Sequence, residues 1–373
     1  MASGSYVVKL EEKLSSMFDR KHVVLTGRAT TAIFVGLKSL KLKDKSIILP
    51  SILCPDPFYA VLYNNLRPIF CDVNLFDYNM NVDSLSEIIS SKTGAIIPVH
   101  LFGQAADMHQ IMQLANDFHA YVIEDAAQAL GGKYKGKKFG SIGDLSILSF
   151  SKIINSGGGG AILTDDKEIA EGCRKIMKAV PQYPSFNEEM YDCYKRIFYA
   201  AQDLLKITSK AKSIFDLMPH IFKEMYIYKI REKWAEIVYY ELDNLDKNIE
   251  TRNENARKFQ RKLRHLDITH PRYKFDSVVY RYSILVKEEK QRRKIVESLR
   301  KQGLHVSTLY TPLHRLFTVD IEENSRLKHA DYIGERILNF WIDPSVKDVY
   351  IKKVVKIVLG ILDEWSSQRK GKT

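Results

Sequence analysis

The first half of the chain alternates short apolar runs with stretches that have helical spacing. The spacing between the runs predicts helices that include Thr31–Leu40, Val82–Ile89 and Met108–Phe118. Alternating strands and helices are typical of an α/β domain on a mostly parallel sheet, in which ligands bind beyond the carboxyl ends of the strands. The runs predict strands at Val23–Leu25, Ser46–Leu49, Arg67–Cys71, Ala95–Val99, Tyr121–Glu124, Leu145–Ser149 and Ala161–Thr164.

The second half has a different pattern. Residues 167–233 are aromatic and basic, and prolines interrupt them, so we expect several irregular helices there. A continuous helix is predicted over Glu232–Leu263. We therefore predict a large domain over residues 1–231, and a linking helix with a small α+β domain over residues 232–373. The elements predicted after the long helix are the strand Tyr280–Val286, the helix Glu288–Gln302, the strand Val306–Leu309 and the helix Val346–Trp365.

Composition narrows the class of protein. The formal net charge is +12, but the basic residues are spread along the chain, which favours a solvated basic surface over a nucleic-acid site. The four cysteines form no CxxC pair, which argues against a disulfide framework and against a zinc or other metal site. The chain has no secretory signal and no apolar run of the roughly 20 residues that would span a bilayer, so we expect a cytoplasmic protein.

One segment leaves a membrane contact open. Residues 198–222 combine aromatic, aliphatic and lysine side chains, a composition that suits docking on a membrane surface. The same composition suits burial against the core of the protein or against a second subunit. We favour burial, so membrane-surface contact is not expected.

Three segments that follow predicted strands could carry chemistry. Residues 27–32 place small and hydroxyl side chains at the start of a helix, where an anion could bind or an ordinary N-cap could lie. Residues 122–131 end a buried strand with Glu124 and Asp125, and a buried carboxylate needs a cationic partner unless it caps the next helix. Residues 144–161 place Lys152 between a buried strand and four glycines, where a lysine could form a Schiff base or simply be exposed.

The order of these three segments resembles the fold-type I enzymes that use pyridoxal 5′-phosphate (PLP). The chain looks in particular like the DegT/DnrJ-type sugar aminotransferases, with further matching stretches at residues 50–51, 72–73, 98–104 and 136–144. The resemblance is dense over residues 22–166 and thinner over residues 234–373. It is nearly absent between about residues 170 and 230.

The resemblance implies two catalytic residues and one neighbour. Lys152 would form the Schiff base with PLP and then move a proton between cofactor and substrate. Asp125 would pair with the protonated pyridine nitrogen, and Gln128 would lie near the phenolic oxygen of the cofactor. Such a carboxylate keeps the ring an effective electron sink.

The resemblance also implies how the rest of the cofactor is held. Ala29 and Thr30 would bind the phosphate together with Ser149, and Cys54 would lie against the ring where an aromatic residue is common. Arg28 stands where the family often has a small polar residue, and it could bind the phosphate or point to solvent.

Substrate contacts are expected from Tyr310 and His314. The family's asparagine that reaches into the neighbouring subunit has no clear counterpart, since Ile227 and Lys229 fall near its place. We therefore expect the substrate side of the pocket to differ from that of other members.

The expected activity is transfer of an amino group, with glutamate as donor, to a keto group of a sugar-derived and phosphorylated acceptor, most often nucleotide-linked in this family. A small keto-phosphate without a nucleotide is an alternative acceptor. A non-catalytic PLP-binding sensor or interaction protein is an alternative of another class. The resemblance further implies a homodimer.

Overall fold

A computed structural model describes residues 4–273, 278–319 and 326–370 of the chain. The first half folds around a seven-stranded sheet with the strand order β1-β9-β8-β5-β4-β2-β3, in which only β9 runs antiparallel to its neighbours. The predicted α/β domain on a mostly parallel sheet is therefore confirmed. The strands are β1 (His22–Thr26), β2 (Ser46–Pro50), β3 (Arg67–Cys71), β4 (Thr93–Ile96), β5 (Tyr121–Asp125), β6 (Lys133–Tyr134), β7 (Lys137–Lys138), β8 (Leu145–Ser149), β9 (Gly160–Thr164), β10 (Tyr282–Leu285) and β11 (Ile337–Phe340).

Helices cover both faces of this sheet, because its strands are apolar on both faces. Ile47 and Leu49 belong to a core beneath helices α2 and α3, whereas Ile48 between them belongs to a core beneath α4 and α5. Such alternation is expected of a strand buried on both sides. The helices are α1 (Tyr6–Phe18), α2 (Ala29–Ser39), α3 (Pro55–Tyr63), α4 (Val82–Ile88), α5 (Met108–Asp117), α6 (Lys167–Ala179), α7 (Asn187–Leu205), α8 (Lys212–Ile221), α9 (Glu232–Glu241), α10 (Leu245–Leu263), α11 (Glu289–Lys301), α12 (Leu313–Leu316), α13 (Lys328–Arg336) and α14 (Asp348–Lys370).

The C-terminal part has its own apolar core around the antiparallel pair β10–β11, with α10, α11 and α14 packed on it. The predicted strand Val306–Leu309 is wrong, since only Ser307 pairs there, in a single bridge with Asn339 of β11. The predicted continuous helix over residues 232–263 is also wrong. A 3₁₀ turn at residues 242–244 separates α9, which packs on α1, from α10 on the small core. The division of the chain at residue 232 stays a prediction.

The segment between residues 170 and 230 forms α6, α7 and α8, as the irregular pattern predicts. Tyr194 and Phe215 turn inward against Tyr59 of α3 and Phe317, which accounts for much of the aromatic content. Other large apolar side chains of this segment remain exposed in the single chain. They are Phe186, Tyr191, Tyr199, Leu204, Ile207, Leu217 and Ile221.

Every helix within residues 4–273, 278–319 and 326–370 is either too short or too polar to span a membrane.

Candidate active site

The turn between β1 and α2 offers free backbone donors to an anion. Helix α2 begins at Ala29, and its N-cap residue Arg28 is extended and makes no capping bond with its side chain. A Cβ added at Gly160 would lie 2.7 Å from the nitrogen of Ala29, so only glycine lets β9 come this close to the turn. The hydroxyl-bearing residues Thr30 and Ser149 are both buried here. These groups fit the phosphate of PLP, because uncapped N–H groups at a helix N-terminus favour a bound anion.

Asp56 joins this turn, although the sequence pattern did not single it out. One of its oxygens accepts bonds from the Thr30 hydroxyl at 3.1 Å and from the Arg28 guanidinium at 3.2 Å. The guanidinium also lies over the ring of Tyr226 at 4.8 Å. The guanidinium of Arg28 therefore does not point to bulk solvent, and it is already paired with a carboxylate instead of being free for a phosphate. The sequence signal that could have found Asp56 is its place in the first turn of α3, directly after β2.

Asp125 lies at the carboxyl end of β5, and its side chain is almost fully buried. One carboxylate oxygen accepts a 2.9 Å hydrogen bond from the N–H of Ala127. Burial raises the pKa of Asp125, and the charge of Lys152 offsets part of this effect. A buried carboxylate with so few donors needs a cation nearby, so the site suits a protonated pyridine nitrogen.

Lys152 lies in the turn that follows β8, and β8 is the neighbour of β5, the strand that ends at Asp125. Burial alone would lower the pKa of Lys152, but nearby acidic groups, Asp125 among them, outweigh burial and raise that pKa above its ordinary value. Its amine makes no ion pair or hydrogen bond with any residue that the structure describes. The amine is therefore charged in the cofactor-free chain and is not committed to another protein group.

Cys54 is the N-cap residue of α3, in the connection that follows β2. Burial raises the pKa of its thiol to about 12, so the side chain is neutral at physiological pH. The thiol is close enough to Lys152 and Asp125 to interact with their charges. A small neutral group at this place fits the predicted contact with the cofactor ring.

Gln128 is fixed by two bonds that sequence reasoning did not predict. Its amide oxygen accepts from the N–H of Phe102 at 3.0 Å, and its amide nitrogen donates to the hydroxyl of Tyr310 at 3.2 Å. The rings of Phe102 and Tyr310 are nearly parallel, with centroids 6.0 Å apart. Burial raises the pKa of Tyr310, so its hydroxyl stays protonated. The predicted residues Gln128 and Tyr310 therefore lie side by side.

His314 is held on both ring nitrogens. Nδ1 lies 2.7 Å from the Ser51 hydroxyl, and Nε2 lies 3.0 Å from a carboxylate oxygen of Asp331. Burial lowers the pKa of His314 although Asp331 acts in the opposite direction. The bond with Ser51 joins α12 to the end of β2. The expected contact of His314 with substrate stays a prediction.

Glu124, the other carboxylate at the end of β5, is part of the scaffold. It is fully buried, and its two oxygens together accept five hydrogen bonds. These bonds fix the loop between β7 and β8 beneath the site. The donors are His100 Nε2, the N–H groups of Gly140, Ile142 and Gly143, and the Ser146 hydroxyl.

We expect Glu124→Gln to lower the free energy of unfolding by about 3 kcal/mol, because the new NH₂ group faces N–H donors and leaves them unsatisfied. Urea unfolding of the cofactor-free protein measures the change. Glu87→Gln, on the exposed face of α4, is the matched control and should leave the midpoint where it is.

The difference in stability between wild type and Glu124→Gln depends on pH. Burial alone would raise the pKa of Glu124, but the bonds from His100 and from backbone N–H groups place that pKa below the ordinary 4.5. Its stabilisation is therefore complete above pH 4.5 and is lost as the pH falls through the lowered pKa. Equal unfolding midpoints for wild type and Glu124→Gln at neutral pH would contradict this role.

The sequence was compared with protein families and with curated proteins. Residues 1–359 match the model of the DegT/DnrJ/EryC1/StrS aminotransferase family. An uncharacterised protein of Methanocaldococcus jannaschii is 29% identical over 97% of this chain and 91% of its own length. The GDP-perosamine synthase of Escherichia coli O157:H7 is 35% identical over 46% of this chain and 48% of the synthase. The 3-oxo-glucose-6-phosphate:glutamate aminotransferase of Bacillus subtilis is 36% identical over 46% of this chain and 39% of that enzyme.

Solved structures give the same fold over nearly the whole chain. A DegT/DnrJ/EryC1/StrS aminotransferase from Brucella abortus superposes with a TM-score of 0.75 and 23% identity, covering 96% of this chain and 91% of that one. NtdA from Bacillus subtilis, solved with bound pyridoxamine phosphate (PMP), superposes with a TM-score of 0.76 and 23% identity. The match covers 97% of this chain and 78% of that one.

These matches confirm the predicted fold-type I architecture, the aminotransferase class and PLP as the cofactor. Relatives that match about half of their length support the sugar substrate class and leave the acceptor open. By the family match over residues 1–359, the chain belongs to the DegT/DnrJ/EryC1/StrS family of PLP-dependent sugar aminotransferases.

Proposed function

We propose that the chain transfers an amino group from glutamate to the keto group of a nucleotide-linked sugar. The observation that supports the reaction most directly is that Asp125 and Lys152 lie close together. Asp125 ends β5 and Lys152 follows the adjacent strand β8, and each charge shifts the pKa of the other. A buried carboxylate with a raised pKa beside a lysine is the pair of groups that such a transfer needs.

The residues around the cofactor have distinct proposed tasks. PLP, when bound, supplies an electron-withdrawing ring that stabilises negative charge on the carbon that loses its proton. Lys152 attaches the cofactor through its amine and afterwards carries a proton to and from that carbon. Asp125 balances the positive charge of the ring nitrogen, and Gln128 faces the phenolic oxygen. Ala29 and Thr30 hold the phosphate with Ser149, and Cys54 lies on the ring.

The acceptor class is supported by the relatives. The name of the E. coli relative refers to a GDP-linked amino sugar, which favours a nucleotide-linked acceptor. The B. subtilis relative acts on 3-oxo-glucose-6-phosphate, so a small keto-phosphate is the second candidate. Tyr310 and His314 are the proposed contacts on the acceptor side of the pocket. Tyr310 contacts the acceptor directly, and His314 lies on α12 at the same side.

Spectroscopy of the purified holoenzyme tests the reaction. We expect glutamate to convert the bound pyridoxal form to the pyridoxamine form, and a suitable keto-sugar to convert it back. GDP-linked and UDP-linked keto-sugars should restore the pyridoxal spectrum, whereas 3-oxo-glucose-6-phosphate should restore it at least about tenfold more slowly.

Each other outcome points to a different conclusion. Faster return with 3-oxo-glucose-6-phosphate would favour the small acceptor over the nucleotide-linked one. No spectral change on addition of glutamate would contradict the proposal and favour a non-catalytic PLP-binding protein. Light scattering during size-exclusion chromatography tests the proposed homodimer, for which we expect twice the chain mass of 43.0 kDa.

A further inference from the structure

Helices α7 and α8 pack against each other as an antiparallel hairpin. The ring centroids of Phe198 and Phe215 lie 5.3 Å apart and those of Tyr194 and Phe222 lie 5.4 Å apart, so the two helices run in opposite directions. The sequence favours burial for residues 198–222. The structure confirms this for Phe215 and Phe222, which are buried, but not for the aliphatic residues of the hairpin.

Four large aliphatic side chains of the hairpin are exposed. Ile207, in the connection between the helices, is 83% exposed, and Leu204 in the last turn of α7 is 44% exposed. Leu217 and Ile221 are 57% and 61% exposed, and they share one face of α8 because they are four residues apart. Scattered exposed aliphatic residues are ordinary, but four in one short hairpin indicate a contact surface. We call these four residues the hairpin surface.

The hairpin surface is held in place by bonds to the body of the protein. The Tyr194 hydroxyl of α7 lies 3.2 Å from the Tyr59 hydroxyl of α3. The Lys212 amine of α8 donates to the carbonyl of His314 at 2.9 Å, and Asp216 accepts from the N–H of Thr318 at 2.9 Å. The other side of the hairpin is therefore already packed. The exposed aliphatic side chains are available to a partner without any rearrangement of the fold.

The hairpin also carries an excess of positive charge. Residues 195–224 contain six lysine and arginine side chains and three carboxylates. Of these carboxylates, Asp203 pairs with Lys206 at 2.6 Å, and Asp216 is occupied by the backbone bond described above. The surrounding charge is therefore positive, which favours an anionic partner. The exposed cations are Arg196, Lys206, Lys210 and Lys223.

A second copy of the chain fits this surface poorly. A two-fold interface places the same surface of both subunits face to face, so the excess of positive charge would meet itself. Like charges brought together across an interface cost binding energy. Lysine is also depleted in protein interfaces, whereas exposed lysines flank the hairpin surface.

An anionic bilayer fits both properties of the hairpin. Aliphatic side chains can enter the boundary between headgroups and acyl chains, while lysine and arginine remain at the level of the anionic headgroups. Each such cation contributes roughly 1 kcal/mol near an anionic membrane surface. No described helix spans a membrane, so the contact would be with one face of the bilayer.

We propose that the hairpin formed by α7 and α8 docks on the surface of a membrane that contains anionic lipids. Leu204, Ile207, Leu217 and Ile221 enter the headgroup boundary, and the neighbouring lysines and arginine contact the lipid phosphates. The inference does not depend on the proposed function, because it uses no residue of the candidate active site.

Sedimentation of the PLP-loaded protein with vesicles tests the docking. One set of vesicles contains phosphatidylcholine with about 30% phosphatidylglycerol, and the other contains phosphatidylcholine alone. We expect the protein to bind the anionic vesicles at least about tenfold more tightly than the neutral ones. Raising the salt from about 0.1 M to about 0.5 M should weaken binding to the anionic vesicles, because the charge attraction is screened.

Variants separate the hairpin surface from general stickiness of the protein. The double variant Ile207→Ser/Leu217→Ser should weaken binding to anionic vesicles about tenfold or more, since two aliphatic side chains no longer enter the boundary. Val349→Ser is the matched control, because Val349 is 60% exposed on α14, outside the hairpin, and should bind as wild type does. Circular dichroism checks that both variants are folded, as expected for replacements of exposed side chains.

Three results would overturn the inference. They are wild-type protein that stays in the supernatant with anionic vesicles, equal binding to both kinds of vesicle, and a double variant that binds as wild type does. If the double variant instead lowers the mass of the protein in solution from dimer to monomer and no vesicles are bound, the hairpin surface is a contact between subunits. Amino transfer measured by the spectral assay remains a separate question in every case.

Discussion

Lys152→Ala is expected to lose the visible absorbance of lysine-bound pyridoxal and to lower turnover about a hundredfold to ten thousandfold. The reason is that one amine both attaches the cofactor and carries the proton. Lys152 is also the lysine whose charge affects the pKa of Asp125. Absorbance spectra of the purified variant and single-turnover mixing with glutamate measure the two effects.

Lys137→Ala is the matched control, because Lys137 is an exposed lysine on the β6–β7 hairpin. It should keep both the spectrum and the turnover of wild type. A Lys152→Ala protein with wild-type absorbance and wild-type turnover would show that another amine holds the cofactor and would remove the basis of the proposed function.

Asp125→Asn is expected to lower turnover about a hundredfold to a thousandfold, while the protein still binds PLP. The neutral amide keeps the size of the carboxyl group and its bond with Ala127, but it cannot balance a positive ring nitrogen. Since the same substitution removes a buried negative charge near Lys152, the pKa of that lysine should fall toward the value that burial alone would give. The pH dependence of PLP uptake by the cofactor-free variant reports this second effect, because only the uncharged amine reacts with the aldehyde of PLP.

Asp117→Asn, at the exposed end of α5, is the control for Asp125→Asn and should change neither quantity. A kcat within about threefold of wild type for Asp125→Asn would mean that the ring nitrogen is balanced by another group, and the role assigned to Asp125 would have to be abandoned.

The parts of the site that lie close together in sequence could be predicted. Thr30 follows a predicted strand, Asp125 and Gln128 share one loop, and Ser149 and Lys152 share another. In a parallel sheet such loops collect at one edge, so their order along the chain indicates a common site. The fold then places Asp125 at the end of β5 and Lys152 just after the adjacent strand β8.

The contacts made by distant residues could not be predicted. The bond between Gln128 and Tyr310 joins residues 182 positions apart, and no local pattern encodes it. Asp56 likewise meets Arg28 only because the fold brings the start of α3 to the turn between β1 and α2. Such contacts arise from tertiary packing, which a single sequence read by periodicity does not contain.

Local pattern also misplaced a strand. Residues 306–309 have β-branched and apolar character, yet only Ser307 pairs, in a single bridge with Asn339 of β11. Residues 337–340 follow a helix without any turn signal, so their four-residue strand was not apparent from the sequence.

The bonds from Tyr310 and His314 to the large domain have a consequence for how the chain can be divided. Gln128 stands beside Asp125 and Lys152, but the hydroxyl that orients its amide belongs to residue 310, and Ser51 after β2 depends on residue 314. A fragment that stops at residue 231 would retain Lys152 and Asp125, the two proposed catalytic residues, and yet lack the hydroxyl of Tyr310 and the ring of His314. Both halves of the chain therefore contribute residues to the proposed active site, and neither half contains the whole of it.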